Sequence, residues 1–181
     1  MVLGLGALGE AQPLTKALLP LFASELAHLD DTFRIDGLYI DRDGADQVVR
    51  LDVGLAHALT LNGRTFRPDS RGRATASTLV GNVTLPCVLL AAVALAWPIR
   101  NRRQWAARGL VLLPALLVLC LLDVPFILWA ALWGLVLQAA DPNRFSVLLT
   151  WSDFLLSGGA FALALALGAC VGSLTGRASR S

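Results

Sequence analysis

The sequence predicts an α-helical integral membrane protein with a small antiparallel β segment outside the membrane. Three long apolar runs fill the second half of the chain, at residues 79–98, 109–140 and 154–176. The first and third runs contain no charged residue, and the second contains only Asp123. Because about 20 apolar residues of helix cross a bilayer core about 30 Å thick, each run predicts a transmembrane helix.

Arginines at the ends of these runs predict the topology. The loop at residues 99–108 carries four arginines and no acid, and Arg177 and Arg180 follow the last run. Short cationic loops stay cytoplasmic. We therefore expect this loop and the C-terminus to be cytoplasmic and residues 30–77 to be periplasmic or extracellular, in a multi-pass protein of a bacterial inner membrane.

The overall composition agrees with this class and excludes others. Hydrophobic residues make up 56% and charged residues 15%, against roughly 25% charged in soluble domains. A net charge of +2 is too small to indicate a nucleic-acid partner. The three cysteines lie inside apolar runs without CxxC spacing, which is typical of packing residues. We predict neither a cofactor nor a metal site.

The first 29 residues predict an amphipathic or partial membrane helix. From Pro13 to Leu29 the apolar residues recur on one helical face, while Lys16, Glu25 and His28 are polar. Such a helix suits the membrane interface better than a full crossing. Since an exported N-terminus needs a signal, we also expect an apolar stretch upstream, with residues 1–24 as the outer end of a first membrane helix.

The segment 30–77 predicts β structure. Apolar residues alternate with polar ones from Val49 to Leu61, which indicates a half-buried strand or two collinear strands. Asn62-Gly63 is typical of a type I′ hairpin turn. We expect an antiparallel meander over residues 33–67, followed by a connector into the first membrane helix. Its buried face would contain Val49, Leu51, Val53, Leu55 and Leu61.

The long second run leaves two arrangements open. Pro125 lies in its middle, where a proline removes a hydrogen bond and bends a helix. We expect one kinked or tilted helix. The alternative is a pair of half-helices that turn at residues 123–125, which would place Arg177 and Arg180 outside.

Asp123 is the most informative polar residue of the membrane region. An ionised carboxylate at bilayer depth costs about 2.5–3.5 kcal/mol, so its side chain should avoid lipid and have a partner. It could transfer protons or contact a partner protein. Alternatively, it could satisfy backbone groups that Pro125 leaves free.

Two further groups of residues are candidate contact sites. Asp153 is expected to cap the last helix, beside Trp151 in the interfacial aromatic belt. The extracytoplasmic arginines could meet lipid phosphates or an acidic polysaccharide, or be solvated; they are Arg64, Arg67, Arg71 and Arg73. Along the last run, Gly168-x-x-x-Gly172 would allow close helix packing.

No G-x-S-x-G, HExxH or P-loop pattern accompanies the two histidines, so we predict no catalytic residue.

Seven short motifs occur in a recognisable order over most of residues 20–160. They are Pro20-Leu21-Phe22, Phe33-Arg34-Ile35, Val49-Arg50-Leu51, Pro68-Asp69-x-Arg71-Gly72-Arg73-Ala74, Ser77-Thr78, Leu122-Asp123-x-Pro125 and Trp151-Ser152-Asp153-Phe154-Leu155. The order resembles the exosortase-associated membrane proteins, particularly those of the exosortase H type. These accompany a transpeptidase-like membrane enzyme that processes C-terminal sorting signals.

The resemblance implies a non-catalytic accessory or scaffolding subunit whose partners are the lipid bilayer and another integral membrane protein, an exosortase. Two alternatives remain: a structural subunit of another membrane assembly, and a proton-coupled transport component that uses Asp123.

Overall fold

The computed structural model describes residues 4–29, 31–69, 72–98, 101–141 and 144–177, with main chain only for residues 4–14 and 177. The protein is mostly helical and contains a small antiparallel sheet. Its helices are α1 (Gly4–Leu29), α2 (Val80–Ala96), α3 (Arg102–Ala140), α4 (Val147–Phe154) and α5 (Ala160–Arg177), and a π-helical turn, Leu155–Gly159, joins the last two. By length and composition, Arg102–Ala140 and Val147–Gly176 could each cross a membrane, whereas α2 has 17 residues and is shorter.

Within the residues that the structure describes, five strands form two separate sheets: β1 (Phe33–Asp43), β2 (Asp46–Leu55), β3 (Leu59–Leu61), β4 (Arg64–Phe66) and β5 (Ala74–Leu79). Strands β1, β2 and β5 make one antiparallel sheet with β2 in the centre, and β3 pairs with β4 in the other. The predicted meander is therefore wrong in its third strand. The third strand comes instead from the segment predicted as a connector. It was missed because the side chains that it buries are Ala76 and Thr78, which give no strong apolar alternation in the sequence.

The predicted buried face is confirmed for three of its five residues, since Val49, Leu51 and Val53 are at most 1% exposed. Leu55 is half-buried, and so is Leu61, which lies in the other sheet. The register of β1 shifts between Ile35 and Gly37, where the sequence interrupts the alternation. A bulge of this kind bends an edge strand and increases its twist.

Helix α3 is one continuous helix of 39 residues, about 58 Å long at 1.5 Å per residue. The preferred single helix is thus confirmed over two half-helices that turn at Pro125. The helix begins at Arg102, seven residues before the apolar run, because arginine and alanine favour helix and extend it beyond the apolar boundary.

The last helix also begins earlier than predicted, at Val147 rather than near Phe154. The Ser146 carbonyl accepts hydrogen bonds from the Thr150 backbone N–H and from its hydroxyl, both at 3.1 Å. These bonds close the first turn of α4, ahead of the predicted start. Asp153 therefore lies inside α4, and the expectation that it caps the last helix is wrong.

The chain forms two compact units. The first contains α1, the sheets, α3 from Val124 onward and most of α4. Within it, the rings of Phe33 and Trp133 meet edge to face, with centroids 5.9 Å apart. This contact joins β1 to α3.

The second unit contains α2 from Asn82, α3 up to Asp123 and the last helix from Asp153. Here α5 approaches α2 closely at Gly168 and Gly172. A Cβ added to Gly168 would lie 2.9 Å from the Val93 Cβ, and one added to Gly172 would lie 2.7 Å from the Trp97 ring. The small-residue spacing therefore forms a helix contact within the chain.

Candidate functional site

The turn of the β3–β4 hairpin caps the C-terminal end of α3. Asn62 and Gly63 have φ values of 49° and 76°, as a type I′ turn requires. Next to them, Arg64 donates a hydrogen bond from its guanidinium to the Ala139 carbonyl at 2.5 Å, and the Asn62 amide donates to the Ala140 carbonyl at 3.4 Å. Arg64, a candidate for phosphate binding, thus already has a partner at a helix end.

Two of the other candidate arginines, Arg67 and Arg73, are exposed and line one cavity of about 220 Å³. Asp69 and Gly72 share its polar rim, and the rest of the lining is mainly apolar, from β2 and α3. Arg71 lies outside the described residues.

A hydrogen-bonded network crosses the polar face of the three-stranded sheet. The Thr75 hydroxyl on β5 donates to Asp52 on β2 at 2.7 Å, and the Tyr39 hydroxyl on β1 donates to the same carboxylate at 2.9 Å. These two bonds, of which the one from Thr75 has the larger effect, hold the pKa of Asp52 below its usual value. The bond to Asp52 in turn raises the pKa of Tyr39. Asp52 therefore ties all three strands together.

Strand β5 lies at one edge of this sheet. It pairs with β2 along one side, from Ala74 to Leu79, and no other described strand pairs with its second side. The side chains of Thr75, Ser77 and Leu79 are exposed. Backbone N–H and C=O groups on the unpaired side of an edge strand can pair with another chain.

In the second unit, Asp123 is buried at 3% exposure. The cost of a carboxyl in lipid led us to expect that its side chain lies inside the protein. Its Oδ1 atom has no hydrogen-bond partner among the residues that the structure describes. If Asp123 satisfied the backbone groups that Pro125 leaves free, its carboxyl group would form a hydrogen bond with one of them. That alternative does not account for the Oδ1 atom, which has no such bond among the described residues.

A pair of thiols lies close to Asp123. The sulfurs of Cys87 and Cys120 are 3.3 Å apart and both residues are buried, whereas Cys170 is exposed. Cys120 precedes Asp123 by three residues on the same helix. All three cysteines were expected to be packing residues; Cys87 and Cys120 are, and together they join α2 to α3, whereas the exposed Cys170 is not.

Arg108 has a role that the sequence reasoning missed. Predicted as part of a cytoplasmic loop, it lies inside α3 and is 1% exposed. Its guanidinium donates to the Trp97 carbonyl at 2.7 Å and to the Thr175 hydroxyl at 3.2 Å. In the sequence, only its position directly before the apolar run sets Arg108 apart from the other arginines of this segment. Arg102 and Arg103, which lie farther from that run, are exposed.

The remaining candidates do not form a site together. Trp151 is half-buried and Asp153 is exposed. In the described part of the chain, no group of three or more His, Cys, Asp or Glu residues is arranged to hold a metal ion. No family model, curated protein or solved structure matches the chain.

Proposed function

We propose that the protein is an accessory or scaffolding subunit of a bacterial membrane complex and receives a partner protein at the second edge of β5. An unpaired edge strand can accept an extended segment as one more strand, through main-chain hydrogen bonds. The observation that carries this proposal is the pairing of β5 with β2 alone among the described strands.

The surroundings of this edge suit a protein partner. The bond from Thr75 to Asp52 anchors β5 to the central strand before a partner arrives, which lowers the entropy cost of binding. Tyr39 and Arg50 lie on the neighbouring polar face, and Tyr and Arg are enriched in protein interfaces. Leu79, at 43% exposure, adds apolar area.

The more specific proposal is an exosortase-type protein-sorting complex in the inner membrane. The motif order described above supports it. So does the placement of residues 30–77 outside the cytoplasm, where the arginine distribution predicts them. A structural role in another membrane assembly would use the same edge, and the identity of the partner separates the two.

Site-specific photocrosslinking in bacterial membranes tests the edge. A photoreactive phenylalanine analogue at Ser77, on β5, should capture an integral membrane protein, which mass spectrometry then identifies. The same analogue at Ala45, exposed in the turn between β1 and β2, is the matched control and should capture little. Equal capture at both positions, or a complex that purifies without any crosslink at Ser77, would show that β5 is not the docking edge.

A second candidate function is a proton-coupled transport component, because the buried Asp123 oxygen has no partner in the described residues. Asp123→Asn keeps the shape of the side chain and removes its proton exchange. Proton flux into proteoliposomes that hold the wild type should then be lost in this variant. If the wild type carries no flux above that of empty liposomes, this function is rejected.

A further inference from the structure

A groove of about 430 Å³ runs beside the C-terminal half of α3. Residues of α1, the β3–β4 hairpin, α3 and the start of α4 line it. Most of the lining is apolar: Leu29, Leu61, Trp133, Leu137, Phe145 and Leu148. Its volume falls within the range of about 300–1,000 Å³ that is usual for ligand sites.

The groove also holds an unused hydrogen-bond donor. The indole Nε1–H of Trp129, which lines the groove, is buried and has no hydrogen-bond partner in the described parts of the chain. A buried donor without an acceptor is costly, and such groups are rare in folded proteins. An acceptor atom on a bound molecule would satisfy it.

A cation lies at the rim of the same groove. Arg144 is exposed and belongs to neither of the two ion pairs formed by the described residues. Guanidinium groups recognise phosphate through paired N–H donors. The groove thus combines an apolar wall, a buried donor and an exposed cation.

We propose that this groove binds an anionic phospholipid, with its phosphate at Arg144, an ester carbonyl at the Trp129 N–H and an acyl chain along the apolar wall. One phospholipid supplies a partner for all three features, whereas a phosphate ion leaves the apolar wall uncovered and a hydrocarbon leaves both the donor and the cation without a partner. The level in the membrane also fits. The apolar run 109–140 is longer than the roughly 20 residues that cross the bilayer core. A crossing counted from Gly109 is complete at Leu128, which puts Trp129 and Trp133 at the headgroup level, where tryptophan is enriched.

Binding of phosphatidylglycerol to the full chain in neutral detergent tests the proposal. Native mass spectrometry counts bound lipid, and brominated acyl chains quench tryptophan fluorescence where they touch the groove. Trp129→Phe removes the donor and keeps an aromatic ring, and Arg144→Gln removes the charge. Each should weaken binding about fivefold. Trp105→Phe, at a residue that is 57% exposed, is the control and should bind as the wild type does.

The test separates lost binding from lost folding. Trp129→Phe deletes a donor that has no partner among the described residues and keeps an aromatic ring, so the variant should still unfold cooperatively without lipid, which thermal unfolding checks. Phosphatidylcholine that binds as tightly as phosphatidylglycerol, or wild-type affinity in both variants, would overturn the proposal. Displacement of the lipid by an equal concentration of inorganic phosphate would overturn it in favour of a free-anion site.

Discussion

Arg64 and Ala139 are 75 residues apart in the chain, and the Arg64 guanidinium donates a hydrogen bond to the Ala139 carbonyl at 2.5 Å. The last carbonyls of a helix have no partners within the helix, and a cation there meets the negative end of the helix dipole. In the same hairpin, β4 pairs with β3. The hairpin turn that was predicted to continue the meander instead caps α3.

Loss of this cap should destabilise the first unit. We expect Arg64→Ala to lower the free energy of unfolding by about 1 kcal/mol, since a charge-assisted bond and a dipole interaction are lost at an exposed position. Denaturant unfolding in detergent micelles measures the change. Arg67→Ala removes the same charge from the nearby lining of a cavity and should change stability by less. Equal losses in both variants would mean that net charge, and not the cap, is responsible.

The close contact between α5 and α2 predicts opposite effects for two glycine substitutions. A Cβ on Gly168 would lie 2.9 Å from the Val93 Cβ and 3.0 Å from the Leu90 carbonyl oxygen, whereas one on Gly109 would meet nothing within 4 Å. Gly168→Ala should therefore lower the melting temperature through overpacking. Gly109→Ala should raise it, because alanine favours helix by up to about 1 kcal/mol. A gain in both variants would contradict the observed helix contact.

The thiol pair predicts a specific crosslink. The sulfurs of Cys87 and Cys120 are 3.3 Å apart, so an approach of about 1.3 Å would give disulfide bonding distance. Diamide crosses membranes and takes up two electrons and two protons as it oxidises a pair of thiols to a disulfide. After treatment of the folded protein, a count of free thiols under denaturing conditions should fall from three to one. Cys120→Ser should prevent this loss and Cys170→Ser should not. Oxidation that depends on Cys170 would contradict the packing of α2 on α3.

The network around Asp52 predicts an acid dependence of stability. The pKa of Asp52 is lower in the folded protein than in the unfolded chain, so the folded state favours the ionised form. This contribution is present above about pH 4, the value of an unperturbed aspartate, and is lost as the pH falls through the lowered pKa. Asp52→Asn should therefore weaken the decline in melting temperature below pH 4. Asp43→Asn, at an exposed residue at the end of β1, should leave the decline unchanged.

The arginine distribution predicts the sidedness of the chain. In a variant whose native cysteines are serines, a cysteine at Gly44 should react with a membrane-impermeant thiol reagent in intact spheroplasts. A cysteine at Asn101 should react only after the membrane is opened. The reverse labelling would refute the predicted topology, since it would place residues 30–77 in the cytoplasm.

The features that were predicted correctly depend on neighbours close in the chain. The alternation of Val49, Leu51 and Val53 places their side chains on one face, because successive side chains of a strand point to opposite sides. Asn62-Gly63 adopts its turn because these residues tolerate positive φ. The apolar runs form helices because a helix satisfies its own backbone groups. Each of these effects acts within a few residues, so the local sequence determines it.

Other features depend on partners far along the chain, and only the tertiary structure decided them. The pairing of β5 with β2 depends on which segment reaches the free side of β2, and the small Ala76 gives no large apolar signal. Arg64 and Arg108 resemble solvated arginines in the sequence, yet each donates to a carbonyl that folding brings near. The buried Asp123 oxygen and the Trp129 donor are likewise defined by what surrounds them. Local periodicity sets which way a side chain points, but packing alone decides what it meets there.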